Sequence, residues 1–140
     1  MAVARPVTYF ENRAGLVLEH PAAHYAELRY SASRRQAGDL AALLTSLGRL
    51  LLQRGWARFL ADNRQMTPFS ASEKEWFTTY WLGGEVARPA PLLGVIILPA
   101  EVIARLSVLE LVQHPAKRSL RYVTFTDPAE AQAYVSQPLL

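Results

Sequence analysis

Two serines are the residues whose type and spacing most suggest chemistry in this sequence. Ser70 stands three residues before Glu73, and Ser72 stands three residues before Glu75, which is the spacing of a helix N-terminal capping box. A hydroxyl at a helix N-terminus can also accept a phosphate or bind an anion, because the helix dipole and free amides stabilise negative charge there. The glutamates favour capping, since they would repel a phosphate. We therefore predict a helix that begins at these serines, with phosphate acceptance or anion binding as their alternative role.

Carboxylates follow three of the predicted strands. Asp62, Glu101 and Asp127 each come just after such a strand, and Arg64 lies close to the first of them. Parallel strands would place all of these side chains at one rim of the sheet, where open α/β folds bind ligands. Paired carboxylates at that rim could do acid–base chemistry. An ion pair between Asp62 and Arg64 and a helix cap at Asp127 explain the same residues more simply.

The densest aromatic group is Trp76, Phe77, Tyr80 and Trp81. The last three share one face of a regular helix, with Trp76 beside it, so the pattern predicts packing against the core. Four large rings are more than one buried stripe needs. One or two of them are therefore candidates for an exposed interface anchor or for the lining of an apolar pocket. The predicted interaction or ligand surface consists of Asp62, Arg64, Trp76, Tyr80 and Trp81.

Several classes of site are not expected. The chain has no cysteine, which excludes disulfides, thiolate zinc sites, iron–sulfur clusters and cysteine nucleophiles. His20 and His24 are separated by Pro21, and His114 stands alone, so we expect no metal site. No phosphate-binding glycine loop, nucleophile elbow or dinucleotide fingerprint occurs. We expect no cofactor and no enzyme activity.

The charge balance and hydropathy narrow the possible partners. The sequence has 15 basic and 12 acidic residues, an excess too small to indicate counterion-driven nucleic-acid binding. No apolar run reaches the roughly 18 residues of a membrane span, and the N-terminus has no signal-peptide pattern. We therefore expect a cytoplasmic protein, with no nucleic-acid partner and no membrane span.

The order of predicted elements gives the fold class. Residues 7–10 and 16–19 are β-rich and flank a turn that ends in Gly15, which predicts an antiparallel hairpin. A half-buried strand over residues 24–31 follows. Leucines at helical spacing from Leu40 to Leu51 predict a helix whose first turn Asp39 caps or charges and which ends at Gly55.

Strands and helices alternate through the rest of the chain. The predicted strands cover residues 56–61, 92–98 and 120–126, the last with one wet face, and predicted helices follow each of them. This alternation predicts a single α/β domain over residues 1–140. Its mixed sheet has about five or six strands, with three to four helices covering mainly one face.

The sequence resembles STAS-like proteins, and more narrowly the small STAS-like proteins of Bacteroidetes. The resemblance covers most of the chain and consists of the leucine helix ending at Gly55 and of three segments, RFLADNR, QMTPFSASEKEWF and RYVTFTDPAEAQAYV. It implies a compact α/β domain that binds a partner and has no active site of its own.

The resemblance also implies a role for the serines. In anti-sigma-factor antagonists, a serine or threonine that begins the helix after this turn is phosphorylated by a partner kinase, and that position corresponds to Ser70 or Ser72. This chain lacks the Asp-Ser-Ser-Gly or Asp-Ser-Gly of the family turn. We therefore expect a non-catalytic regulatory module with a protein partner, and a homodimer is left open. The alternative is an apolar ligand or lipid in a pocket between the aromatic helix and the sheet.

Overall fold

The computed structural model describes residues 5–115 and 117–138, which form one mixed sheet and the helices that cover it. The strands are β1 (Val7–Asn12), β2 (Gly15–His20), β3 (Tyr25–Tyr30), β4 (Arg58–Asp62), β5 (Leu92–Ile97) and β6 (Leu120–Phe125). The helices are α1 (Asp39–Arg54), α2 (Ala71–Trp76), α3 (Val102–Val112) and α4 (Pro128–Val135), and a π-helical segment, Phe77–Leu82, continues α2.

The six strands lie in the sheet in the same order as in the chain. The pairs β1–β2 and β2–β3 are antiparallel, whereas β3–β4, β4–β5 and β5–β6 are parallel. Parallel neighbours need a crossover connection, and helices supply it after β3, β4 and β5. The predicted α/β class, with its N-terminal antiparallel hairpin and mixed sheet, is confirmed.

Helices cover both faces of the sheet, but unequally. Buried side chains from α1, the π-helical segment and α3 belong to one large core on one face. Ala131 and Val135 of α4 pack with Leu60 and Val95 in a smaller core on the opposite face. The three crossover helices therefore share one face, as the sequence predicts for the main layer, and α4 alone lies on the other.

The leucine pattern of α1 forms its buried face. Leu43, Leu47 and Leu50 have no exposed surface, and Gly55 ends the helix in a left-handed conformation with φ 70°. The residue at the N-cap position is Gly38, also left-handed at φ 88°, and no side chain caps the helix there. Asp39 is instead the first helical residue, and its carboxylate accepts a hydrogen bond from the Gln36 amide at 2.7 Å.

One strand is more enclosed than the sequence pattern predicts, and one tyrosine of the edge strand β6 joins the large core. β3 is buried at five of its six positions, so the expected half-buried strand is wrong, and even Glu27 is only 5 % exposed. On β6, Tyr122 packs against the large core, and its hydroxyl accepts a hydrogen bond from the Trp81 indole at 3.0 Å.

Within the described part of the chain, no helix is both long enough and apolar enough to cross a lipid bilayer.

Candidate functional site

A cleft of about 580 Å³ opens beside the carboxyl ends of β3 and β4. One wall is the segment that leads into α1, and the other is the turn and helix after β4. We call it the rim cleft. Its lining residues are Arg34, Arg35, Gln36, Ala37, Gly38, Leu40, Ala41, Thr67, Pro68, Ser70, Ser72, Glu73 and Trp76. Its size and its place at the carboxyl ends of parallel strands are typical of ligand sites in α/β proteins.

The two serines have different structural roles at this cleft. Ser70 is the N-cap of α2: its hydroxyl accepts from the Glu73 amide at 3.2 Å, and the Glu73 carboxylate accepts from the Ser70 amide at 2.8 Å. Both halves of the predicted capping box are therefore present. Ser72 lies inside the helix, so its predicted capping role is wrong, and its hydroxyl is 3.2 Å from that of Ser70. Both hydroxyls line the cleft.

The π-helical segment decides which aromatic rings face solvent. The Gly83 amide donates to the Thr78 carbonyl at 3.1 Å, five residues back, so the turn is wider than that of an α-helix. Trp81 is fully buried, in line with the predicted packing against the core, so it does not contribute to a solvent-exposed interaction surface. Tyr80 is 46 % exposed and stacks on Trp76, with ring centroids 5.8 Å apart. The aromatic pair at the surface therefore consists of the half-buried Trp76 and the exposed Tyr80.

Arg35 holds the two walls of the cleft together. Its side chain is only 4 % exposed, and its Nε donates to Glu73 Oε2 at 2.6 Å. Its Nη2 donates to the carbonyls of Thr67 and Pro68 at 3.0 and 2.9 Å, and the guanidinium lies 5.2 Å from the Phe69 ring centroid. Its Nη1 is buried and has no hydrogen-bond partner among the described residues.

The contacts with Arg35 and the Ser70 amide lower the pKa of the Glu73 carboxyl. Burial alone would raise the pKa of its carboxyl, but the hydrogen bonds from Arg35 and from the Ser70 amide outweigh burial and hold the pKa below 4.5. Glu73 is therefore ionised at neutral pH and engaged on both oxygens. It is the only carboxylate among the lining residues, and its existing partners leave it no role as a free acid or base.

The predicted ion pair between Asp62 and Arg64 exists, but it lies elsewhere. Asp62 accepts from Arg64 Nη2 at 2.8 Å and from Nε at 3.0 Å. Alternation along β4 places Asp62 on the same sheet face as Leu60, which is the face of α4. Burial alone would raise the pKa of Asp62. The hydrogen bonds from Arg64 outweigh burial, so the pKa is lowered. These two residues therefore belong to a different surface from the serines and Trp76.

A charged network continues across that second surface. Glu27 accepts from Arg29 Nε at 2.9 Å, and one of its oxygens is 2.8 Å from His20 Nε2. Burial alone would raise the pKa of Glu27. The contacts with His20 and Arg29 lower it by a larger amount, so the pKa lies below 4.5. Each acid is matched by a base, as expected of a structural network.

The other predicted rim carboxylates are helix caps. Glu101 accepts from the amides of Ile103 and Ala104 at 3.0 and 2.7 Å, and Asp127 accepts from the Ala129 amide at 3.0 Å. Each side chain thereby satisfies amides that a helix start leaves free. Within residues 5–115 and 117–138, no group of three or more acidic or histidine side chains could hold a metal ion.

A small apolar cavity lies between the sheet and the aromatic segment, where the ligand alternative would need a pocket. It measures about 30 Å³, and Phe77, Trp81 and Tyr122 are among its lining residues. That volume holds one or two water molecules. Asn63 also lines it and leaves its buried Oδ1 without a partner in the described chain. The several hundred cubic ångströms that a lipid or drug-sized ligand requires are not present there.

Sequence reasoning missed one wall of the rim cleft. Arg34, Arg35 and Gly38 lie in a segment without periodicity, and no motif marks them. The available signal was local: Gly38 stands directly before a strong helical pattern, where Ser, Thr, Asp or Asn is the usual cap. A helix without a capping side chain leaves its amides free for another acceptor.

No protein-family model, no curated protein and no solved structure significantly matches this chain. The resemblance to STAS-like proteins therefore stays a prediction.

Proposed function

We propose that this chain is a non-catalytic, STAS-like interaction module that binds a protein partner at the rim cleft. The observation that carries the proposal is an open cleft of about 580 Å³ whose edge presents Trp76, stacked on the exposed Tyr80. Aromatic side chains of this kind are enriched among the residues that dominate binding energy at protein interfaces.

The polar side chains of the cleft support binding rather than catalysis. Arg35 and Glu73 are engaged with each other and with the backbone, so they fix the shape of the cleft. Ser70 is engaged in capping. No base lies within hydrogen-bond reach of the Ser72 hydroxyl among the described residues, whereas an activated nucleophile needs one.

Affinity capture tests the proposal. Immobilised wild-type protein would be exposed to a lysate of its source organism beside the variants Trp76→Ala and Tyr80→Ala. Ile103→Ala is the matched control, because Ile103 is an apolar residue that is 68 % exposed on α3 and does not line the cleft. Urea unfolding would verify that each variant is folded.

We expect wild type and Ile103→Ala to retain the same specific protein, and Trp76→Ala to bind it about 30-fold more weakly, as loss of an interface hot spot does. Tyr80→Ala should weaken the same partner less. Retention of no specific protein by wild type, or equal retention by every variant, would contradict the proposal.

A further inference from the structure

The last strand of the sheet leaves one side of its backbone without a neighbour. Within residues 5–115 and 117–138, β6 pairs only with β5, over six residues in unbroken parallel register. The Phe125 carbonyl accepts from the Leu98 amide at 2.8 Å, so the backbone groups of Phe125 point toward β5. Because alternate residues of a strand point their backbone groups to opposite sides, those of Tyr122 and Thr124 point outward. Such an open edge is a template for pairing with another strand.

The opposite edge of the sheet, β1, is less suited to pairing. Its register with β2 shifts between Thr8 and Phe10, and an irregularity of this kind twists an edge strand and blunts its pairing. The sequence of β6, LRYVTF, contains neither proline nor glycine and is rich in β-branched and aromatic residues, which favour a strand. The edge that can accept another strand is therefore β6.

The helix above this edge carries exposed apolar side chains. Val102 and Leu106 of α3 are 65 % and 61 % exposed, and Leu109, which is partly exposed, continues the same stripe at helical spacing. Exposed apolar side chains that lie together indicate an interaction surface. The open strand edge and the apolar stripe of α3 therefore occur at the same end of the sheet.

Strand spacing explains how one contact would bury both features. Since α3 connects β5 to β6, it lies over that pair on the face of the large core. If a second β6 paired antiparallel with the first at about 4.8 Å, a two-fold axis would run midway between them. Each α3 would then lie about one strand spacing from the axis, and the two helices about 10 Å apart, which is the distance between packed helices. A strand pair alone is marginally stable, so the helix contact supplies the apolar burial.

The charges at the two ends of β6 select a second copy of this chain as the occupant. Arg118 and Arg121 lie at its amino end, whereas Asp127 and Glu130 follow its carboxyl end. All four are exposed, and none makes an ion pair with a described residue. Alternation places Arg121 on the same sheet face as Phe125, which is the face of α4 and therefore of Glu130. An antiparallel second copy brings the basic end of each β6 against the acidic end of the other.

We infer that two copies of this chain form a symmetric dimer, in which the two β6 strands pair antiparallel and the two α3 helices pack across the two-fold axis. The two six-stranded sheets become one continuous sheet. Arg121 of each copy lies near Glu130 of the other. None of these residues lines the rim cleft, so the dimer is independent of the proposed function.

Sedimentation velocity and hydrogen exchange test the dimer on the full chain. We expect the wild type at pH 7 to shift from the mass of one chain to twice that mass between about 5 and about 500 µM protein. Hydrogen exchange followed by nuclear magnetic resonance locates the contact. The Tyr122 and Thr124 amides should exchange more slowly at the higher concentration, whereas the amides of β1, the other edge, should not change.

A matched pair of leucines tests the helix contact. Leu106→Glu places a carboxylate in the apolar stripe of both copies and should weaken dimerisation at least about tenfold, because an unpaired charge would be buried. Leu52→Glu makes the same change at an exposed leucine of α1, which packs against β1, β2 and β3 at the other end of the sheet. It should leave dimerisation unchanged. Urea unfolding would verify that both variants are folded.

Charge reversal tests the antiparallel orientation. Arg121→Glu should weaken dimerisation about tenfold, because it turns an attraction into a repulsion at both ends of the interface. The double variant Arg121→Glu/Glu130→Arg should restore the wild-type affinity to within about twofold, because opposite charges face each other again.

Each outcome decides one point. A wild type that stays monomeric at the highest concentration, or edge amides of β6 that exchange equally at both concentrations, would overturn the dimer. A dimer that Leu106→Glu weakens no more than Leu52→Glu does would overturn the helix contact. Failure of the double variant to restore what Arg121→Glu loses would overturn the antiparallel arrangement.

Discussion

Replacing Glu73 by Gln should destabilise the protein by breaking one ion pair that joins the two walls of the rim cleft. The Glu73 carboxylate accepts from Arg35 Nε at 2.6 Å, from Arg35 Nη2 at 3.1 Å and from the Ser70 amide at 2.8 Å. A glutamine offers these donors only one carbonyl oxygen. Its NH₂ group is itself a donor, so it cannot accept from the donors that remain. The substitution therefore leaves the Arg35 charge partly unmatched in a buried position.

The magnitude follows from the burial of the two partners. Breaking a fully buried pair by removing one partner costs about 3–5 kcal/mol, whereas an exposed pair contributes about 0–1 kcal/mol. The Arg35 side chain is 4 % exposed and that of Glu73 is 20 % exposed. We therefore expect the free energy of unfolding to fall by about 2 kcal/mol at pH 7, which shifts the urea midpoint by about 1 M at an unchanged slope.

The pH dependence separates this mechanism from a simple loss of packing. The pKa of Glu73 lies below 4.5 in the folded state, so its ionised form stabilises the fold above pH 4.5 and loses that effect as the pH falls through the folded pKa. The difference between wild type and Glu73→Gln should be constant from about pH 6 upward and should shrink below pH 4.5.

Glu75→Gln is the control, because Glu75 is exposed on the same helix and should change stability by less than about 0.5 kcal/mol. A Glu73→Gln variant as stable as wild type at pH 7, or a difference that persists undiminished at pH 3, would refute the reasoning.

Three further predictions concern the core and the second charged surface. A Cβ added at Gly94 would lie 2.5 Å from a Tyr122 ring carbon and 2.8 Å from Phe59, so Gly94→Ala should cost about 2–3 kcal/mol in urea unfolding; no loss would contradict this packing. Tyr122→Phe removes the acceptor of the Trp81 indole and should cost about 1–2 kcal/mol, with a shifted indole N–H resonance; an unmoved resonance would count against the hydrogen bond. The pKa of the Glu27 carboxyl, followed by nuclear magnetic resonance, should lie below 4.5. Glu27→Gln should destabilise the protein above pH 4.5 and progressively less below it. A pKa above 4.5 would disprove the network.

The regular elements could be predicted from the sequence because their signals are local. The leucine spacing of α1, the left-handed stop at Gly55 and the apolar runs of β4 and β5 each depend on side-chain periodicity or on one special residue. The Ser70 capping box was predictable for the same reason. Because Ser72 and Glu75 have the same spacing, the sequence did not show which serine begins the helix. The hydrogen bonds in the structure identify Ser70 as the N-cap.

The candidate site could be predicted only on one side. The wall formed by Ser70 and Trp76 lies on a patterned helix, whereas Arg35 reaches across 38 residues of chain to Glu73, a contact that no periodicity encodes. Tyr80 was predicted on the buried face because a regular helix was assumed, whereas the chain adopts wider π-helical turns and leaves Tyr80 46 % exposed.

The match between strand order and chain order has a consequence for how the chain assembles during synthesis. Each strand pairs with the strand that precedes it in the sequence, so no strand inserts between two that are already paired. The N-terminal meander can form first, and every later strand with its helix then adds to an available edge. A ribosome-bound chain therefore can grow this sheet in one direction, and a nascent chain that ends at β4 contains only the wall of the rim cleft that leads into α1, because the other wall begins at Thr67.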